Sequence, residues 1–291
     1  MDSRLAPPPL PSPRAASPWL AELHLGFARR DGRTVLGENR HCGPLRVQKA
    51  LYPEGEGVCQ AILLHPPSGI AGGDQLTIDV ALEAGAHGQI TTPGAGKWYR
   101  SGGAPAAQAV TLDLAAGAIL EWLPQESIVF DGALARLETR VRLAADSRYL
   151  GWDILCLGRS AAGERFRRGR LELHTRLERD GRTLWLERGG LDGDAPLLHS
   201  PAGWAGATVC GTLLLALPEL PAGAPALLAA CRASAPADGA GHGITALPGL
   251  LLARYLGHSS EAARHWFTAL WQGLRPALCG REAVPPRIWN T

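Results

Sequence analysis

The chain lacks a long apolar run, a metal-spaced cysteine pair and the first catalytic signatures to look for, and each absence counts against a class of function. No stretch approaches the roughly 20 consecutive apolar residues that a helix needs to cross a bilayer. The N-terminus, MDSRLAPPPLPSPRAASPW, has prolines where a secretory leader would have its apolar core. The expectation is an intracellular, cytoplasmic protein with a flexible, polyproline-like arm over residues 1–18 and a single domain over 19–291. The cysteines, at 42, 59, 156, 210, 231 and 279, form no C-x-x-C pair. In a chain of this kind they are expected to be reduced and individually buried, packing as small hydrophobes.

Charge of one sign is also missing. The net charge is only +2, too balanced to imply binding to nucleic acid or a membrane surface. With 46% hydrophobic residues, the chain has ample material for a packed core. H-E-x-x-H and G-x-S-x-G are absent. Gly94-Ala-Gly-Lys97 resembles the end of a phosphate loop, but Thr91 stands at the first glycine position and Trp98 where a magnesium-holding hydroxyl is required.

What is present is mainly β. Leu23, Leu25 and Phe27 alternate with polar or small residues ahead of Asp31-Gly32, a hairpin signal. The same pentapeptide, Arg-Asp-Gly-Arg-Thr, recurs at 179–183 between two leucine-rich alternations. Leu82-Glu-Ala-Gly-Ala86 returns as Leu114-Ala-Ala-Gly-Ala118 and, loosely, as Leu143-Ala-Ala-Asp-Ser147. A period near 30 residues in β sequence predicts stacked strand pairs, a sandwich with β-helix character. Helix signals come late, giving two short α-helices near the C-terminus. One covers Pro225–Arg232; the other starts at Ser259-Ser260-Glu261 and should end at Gly273 or Pro276. Between them, Pro248-Gly249 reads as the turn of another hairpin.

Four residues carry candidate chemistry. His65 and Asp74 flank the Gly- and Pro-shaped loop HPPSGIAGGD, where Asp74 could serve a metal or simply hold loop amides. Glu126 and Asp131 sit among apolar neighbours, and a buried carboxylate is costly unless paired. As an acid/base pair they would make the chain a β-sandwich hydrolase; a lectin-like binding module is a third reading. His41-Cys42 is a weak ligand pair, because adjacent strand residues point to opposite faces. The arginines from Arg159 to Arg188 are diluted by glutamates, which fits a solvated strand face or a dock for an acidic protein better than a nucleic-acid surface. Arg176 in that stretch, and Trp266, Phe267 and Trp271 in the late helix, are candidate partner anchors.

Several motifs in order resemble one family. Gly43-Pro-Leu-Arg-Val-Gln-Lys49, the His65–Asp74 loop, Thr91–Lys97 with Tyr99-Arg100, Trp122–Glu126, Phe130–Ala133, Gly158-Arg159 with Gly163-Glu164, and the closing Pro-Pro-Arg-Ile-Trp289 are similar to the UreD (UreH) urease accessory proteins. The likeness covers roughly 20–291, with Ser68 where glycine is expected and Trp98 where Phe or Tyr is commoner. The resemblance implies a β-rich, non-catalytic scaffold that joins UreF and the GTPase UreG on apo-urease and supports nickel insertion. It also implies no tightly bound cofactor, transient Ni2+, and no small-molecule substrate. On that logic Asp74, Glu126 and Asp131, with His65, are expected to line a polar passage, since cargo nickel needs exchangeable oxygen ligands.

Overall fold

A computed structural model describes residues 19–219 and 223–290, so the Pro-rich arm lies outside the described residues. The strands run in chain order β1 (Leu20–Arg30), β2 (Arg33–Cys42), β3 (Arg46–Val47), β4 (Cys59–Leu64), β5 (Gln75–Leu82) and β6 (His87–Thr91). They continue through β7 (Gly96–Trp98), β8 (Ala106–Leu114), β9 (Ile119–Leu123), β10 (Ser127–Val129), β11 (Leu134–Leu143) and β12 (Arg148–Leu157). The last strands are β13 (Arg170–Arg179), β14 (Arg182–Asp192), β15 (Val209–Ala216), β16 (Gly241–Leu247) and β17 (Leu250–Gly257). The α-helices are α1 (Pro196–His199), α2 (Ala224–Ala233) and α3 (Ser260–Cys279).

The 30-residue period is the rise of a two-sheet β-solenoid. One sheet has the order β14-β13-β11-β8-β5-β1-β2, and β1, β5, β8, β11 and β13 are parallel to one another. The facing sheet has the path β16-β17-β15-β12-β9-β6-β4-β3. Each LEAGA-like segment is the corner between the sheets. Gly85 and Gly117 take left-handed backbone (φ 68° and 65°) that lets the chain reverse without a side-chain clash. The corners then stack by hydrogen bonds: Gly85 N–H donates to Ala116 (2.9 Å), and Ala144 N–H donates to Leu114 (2.9 Å). Ala86, Ala118 and Ser147 occupy one position beneath successive corners and are fully buried, so only small side chains fit.

The repeated Arg-Asp-Gly-Arg-Thr pentapeptide closes the two ends of the first sheet. Asp31-Gly32 (φ 49° and 82°) and Asp180-Gly181 (φ 48° and 74°) have the positive angles of a tight hairpin turn. Each turn folds an antiparallel edge strand, β2 or β14, onto the terminal parallel rung. Both hairpins carry a register irregularity, at Gly26/Phe27 and at Leu177/Glu178.

A third layer covers the second sheet. Ser259 caps α3 by accepting from Ala262 N–H (3.1 Å), and the helix runs 20 residues to a left-handed Gly280. It is therefore longer than expected, passing through both Gly273 and Pro276. Gly273 and Pro276 lie on the solvent face, so the hydrogen bond lost at proline frees a carbonyl at exposed Gln272. The opposite face buries Trp266, Phe267, Leu270, Trp271, Leu274 and Leu278 against β12 and β15. At about 1.5–3 kcal/mol for each large apolar side chain, that face fixes the helix to the sheet. The Pro248-Gly249 turn joins β16 to β17 as expected.

Candidate functional site

The solenoid has one tight end and one long-looped end. The LEAGA corners and the two Asp-Gly turns form the tight end. At the other end lie the segments after β4, β6, β9, β12 and β14, spanning residues 65–74, 92–105, 124–133, 158–169 and 193–208. Strands β7 and β10 extend parallel to β12 there, and Ile70 is tied to this extension through Lys97 O (2.7 Å) and Tyr99 N–H (2.9 Å). Nearly all the motifs that carry the UreD resemblance therefore converge on one face. Gly96 and Lys97 belong to this strand pairing, and Trp98 is fully buried; no helix follows to receive a phosphate.

The residues singled out in these loops hold the loops. Asp74 is buried and accepts from Ala71 N–H (2.8 Å) and Trp19 N–H (3.1 Å). Burial lowers the pKa of His65, with Asp74 acting weakly in the opposite sense, so the imidazole favours its neutral form. Ser68, where glycine was expected, adopts the left-handed backbone (φ 55°) that a glycine would supply. Asp131 accepts from Arg167 N–H (2.9 Å), Arg168 N–H (2.8 Å) and the Arg168 guanidinium (2.5 and 3.1 Å). Burial raises the Asp131 pKa, but the Arg168 side chain and these amides outweigh that and hold it below the ordinary carboxylate range.

Glu126 is half-buried just before β10, and Asp131 follows that strand. Four residues lie between them, three of them in β10. Asp131 is taken up by the Arg168 guanidinium and two backbone amides, so its carboxylate holds the loop. Among the described residues no three His, Cys, Asp or Glu side chains converge as a metal centre. His41 and Cys42 are both exposed at the end of β2, which corrects the expectation that every cysteine is buried. Trp266, Phe267 and Trp271 are 3%, 0% and 0% exposed, so in this chain they are core and offer no surface to a partner. Arg176 faces outward on β13, paired with Glu178 (2.7 Å).

Two interior polar clusters escaped the sequence reading. The first borders a cavity of about 410 Å3 between β11, β13 and β14 on one side and β12, β15 and β17 on the other. Its wall mixes Leu137, Leu155 and Trp204 with Ser127, Thr212, Asp153, Glu187, Cys210 and Arg254. Gly189 and Gly190 contribute no side chains, and the same two glycines with Leu137 and Leu173 also border a groove on the outer face of the sheet. Glu187 and Arg254 are paired at 2.8 Å. Asp153 is surrounded by protein yet keeps accessible surface, because its carboxylate faces the cavity. Burial, reinforced by Glu187 and opposed by Arg254, pushes its pKa up to about 7. Burial likewise pushes the Cys210 thiol up to about 11, so it is not a thiolate near neutrality.

The second cluster lies between the other face of that sheet and α3. Glu121, with no exposed surface, accepts from Trp271 Nε1 (2.6 Å) and from Arg275 (3.0 and 3.1 Å), and lies 2.8 Å from His87 Nε2. Arg275 also reaches Glu54 (2.7 Å). Burial would raise the Glu121 pKa, but His87 and Arg275 prevail and bring it to about 2. Satisfied on every side, this cluster pins α3 rather than offering a binding site.

The fold is a two-sheet β-solenoid whose elaborated loops gather at one end beside an inter-sheet cavity. The family model described as "UreD urease accessory protein" matches residues 20–290. The chain is 69% identical to the urease accessory protein UreD of Dechloromonas aromatica (strain RCB) over 291 residues, the whole of both chains. It is 56% identical to UreD of Azoarcus sp. (strain BH72) over 278 residues, 95% of this chain and 96% of that one. It is 54% identical to UreD of Nitrosococcus oceani over 275 residues, covering 94% and 90%. The chain belongs to the UreD urease accessory protein family, and its role lies in urease maturation.

Proposed function

We propose that this chain is a non-catalytic, cytoplasmic scaffold that joins UreF, the GTPase UreG and apo-urease, and gives nickel a sheltered route to the urease site. Nickel is cargo here, and no cofactor stays bound. The observation that carries the reading is the inter-sheet cavity of about 410 Å3, mostly apolar but with hydroxyls and carboxylates set into its wall, inside a family of urease accessory proteins. A cargo ion needs donors that bind it briefly. Ser127, Thr212, Asp153 and Glu187 offer oxygens, and Cys210 is held as a thiol, which avoids a tight thiolate trap. Keeping donor and acceptor proteins on one scaffold replaces free diffusion with a high effective concentration.

This reading relocates the passage. His65, Asp74 and Asp131 shape the loops at its end, while Asp153 and Glu187 face the interior space. Arg254, paired with Glu187, is the resident cation that an incoming ion would displace.

The test is urease nickel content in cells carrying the urease genes with this chain, without it, or with Asp153→Asn/Glu187→Gln. Loss of the chain should lower nickel and activity together while apo-urease accumulates. The double variant should do the same with the accessory complex still assembled. Full nickel loading in the double variant would sink the passage, and full loading without the chain would sink the maturation role.

A further inference from the structure

The long-looped end carries a basic surface that the passage does not use. Arg100, Arg159 and Arg168 are 65%, 48% and 66% exposed, and Arg165 and Arg167 are exposed beside them. The carboxylates below are recessed: Asp131 is 13% and Glu164 22% exposed. Those two acids fix the arginines rather than cancel them. Asp131 holds the backbone of Arg167 and Arg168 and the Arg168 side chain, while Glu164 holds Arg159 at 2.7 Å and accepts from Asp131 N–H (3.1 Å). Arg159 also lies over the Phe130 ring (4.6 Å), against which Tyr99 packs edge-on with 38% of its surface exposed. The side chains of Arg165 and Arg167 form no ion pair with any described residue.

Next to these two arginines is a notch of about 230 Å3 floored by Leu157, Phe166 and Leu198, with Asp194 and His199 on its rim. Exposed guanidinium groups beside a notch with an apolar floor have the make-up of a protein interface: an anchor pocket with a charged surround. Guanidinium forks match carboxylates in pairs, and the Arg167 backbone held by Asp131, with Arg159 and Arg168 fixed alongside, leaves less to order on binding. A nucleic-acid surface would want an unbroken basic stripe and stacking rings, whereas Tyr99 is the exposed ring here and Asp194 interrupts the charge.

We infer that the loop end, centred on Arg165, Arg167 and the adjoining notch, docks an acidic segment of a protein partner that places one apolar side chain in the notch between its carboxylates. The inference deepens the scaffold reading by giving one partner contact a location and a chemistry.

The probe is a labelled peptide alternating glutamate and leucine, titrated into the purified full chain and read by fluorescence anisotropy at low salt. Glutamine-for-glutamate and glutamine-for-leucine versions, and a thymidine oligonucleotide, are run beside it. Binding of the parent peptide should weaken about tenfold or more in Arg165→Glu/Arg167→Glu, roughly one well-placed charged pair, and much less in the double lysine variant. Both peptide variants should bind more weakly than the parent. Both arginines are on the surface, so melting temperatures should match the wild type and keep the comparison valid. Peptide affinity indifferent to charge reversal would overturn the proposal. So would tighter, reversal-sensitive binding of the oligonucleotide, which would make this a nucleic-acid face. Urease nickel loading that persists without the chain would refute the maturation role and leave this binding result standing.

Discussion

Removing the Glu121 carboxylate should destabilise the fold by an amount that two independent arguments set at the same size. Its pKa moves from an ordinary 4.5 to about 2 in the folded protein. At about 1.4 kcal/mol per unit this corresponds to roughly 3 kcal/mol of stability from the ionised form. Breaking a buried ion pair by deleting one partner costs about 3–5 kcal/mol, because the other charge is left inside. Glu121→Ala leaves Arg275 with Glu54 still in reach at 2.7 Å, so the lower part of that range applies. For a chain of this size, about 3 kcal/mol lowers the melting temperature by roughly 6–12 °C. The sign with pH is fixed by the depressed pKa. The contribution is complete above the unfolded value of about 4.5 and disappears as pH falls through about 2. Thermal melts of wild type and Glu121→Ala by circular dichroism should diverge at pH 7 and converge toward pH 2–3. Arg275→Met should cost more, because it strands two carboxylates, Glu121 at 0% and Glu54 at 4% exposure. A pH 7 difference under about 2 °C, or one that does not shrink in acid, would refute the account.

Asp153 should behave in the opposite sense. Its pKa is raised from 3.8 to about 7, so the folded state is free of the penalty below pH 4 and loses stability as pH rises toward 7. Asp153→Asn should therefore melt higher than wild type at pH 8 and alike at pH 4; an equal gain at both would contradict the linkage. Asp131→Asn should loosen the 158–169 loop locally, because the loop hangs on that carboxylate. Limited trypsin digestion should cut several-fold faster at Arg165, Arg167 or Arg168 with the global melting point nearly unchanged. Unchanged cleavage would show that the loop is held elsewhere.

How much of this was legible depends on whether the signal was local. The Asp-Gly turns at 31–32 and 180–181 were readable because positive φ at two successive residues leaves few choices of sequence. The corners were readable because stacking repeats the same small-residue requirement at Ala86, Ala118 and Ser147. The end of α3 was misplaced because Pro276 stops a helix only where its lost hydrogen bond is buried, and exposure is not written locally. The Glu121–Arg275 pair spans 154 positions, and nothing near either residue names the other.

A usable signal was nevertheless present, in the position of a charge rather than its neighbours. Glu126 and Asp131 drew attention because apolar residues surround them, but both lie beyond strand ends, where acids serve loops. Glu121, Asp153 and Arg275 lie inside an alternation: between Leu120 and Trp122, between Trp152 and Ile154, and one turn beyond Trp271 on the buried stripe. A charge on a strand covered on both faces, or on the core stripe of a helix, must meet another charge or a cavity, since nothing else repays its lost hydration. Glu121 and Arg275 meet each other, and Asp153 meets the cavity. The strands of the second sheet beneath α3 are covered on both faces, so that rule separates residues there that hold the fold from residues that face its interior space. By it Asp153, on β12 between the sheets, faces the interior space, while the loop acids Asp74 and Asp131 hold backbone amides.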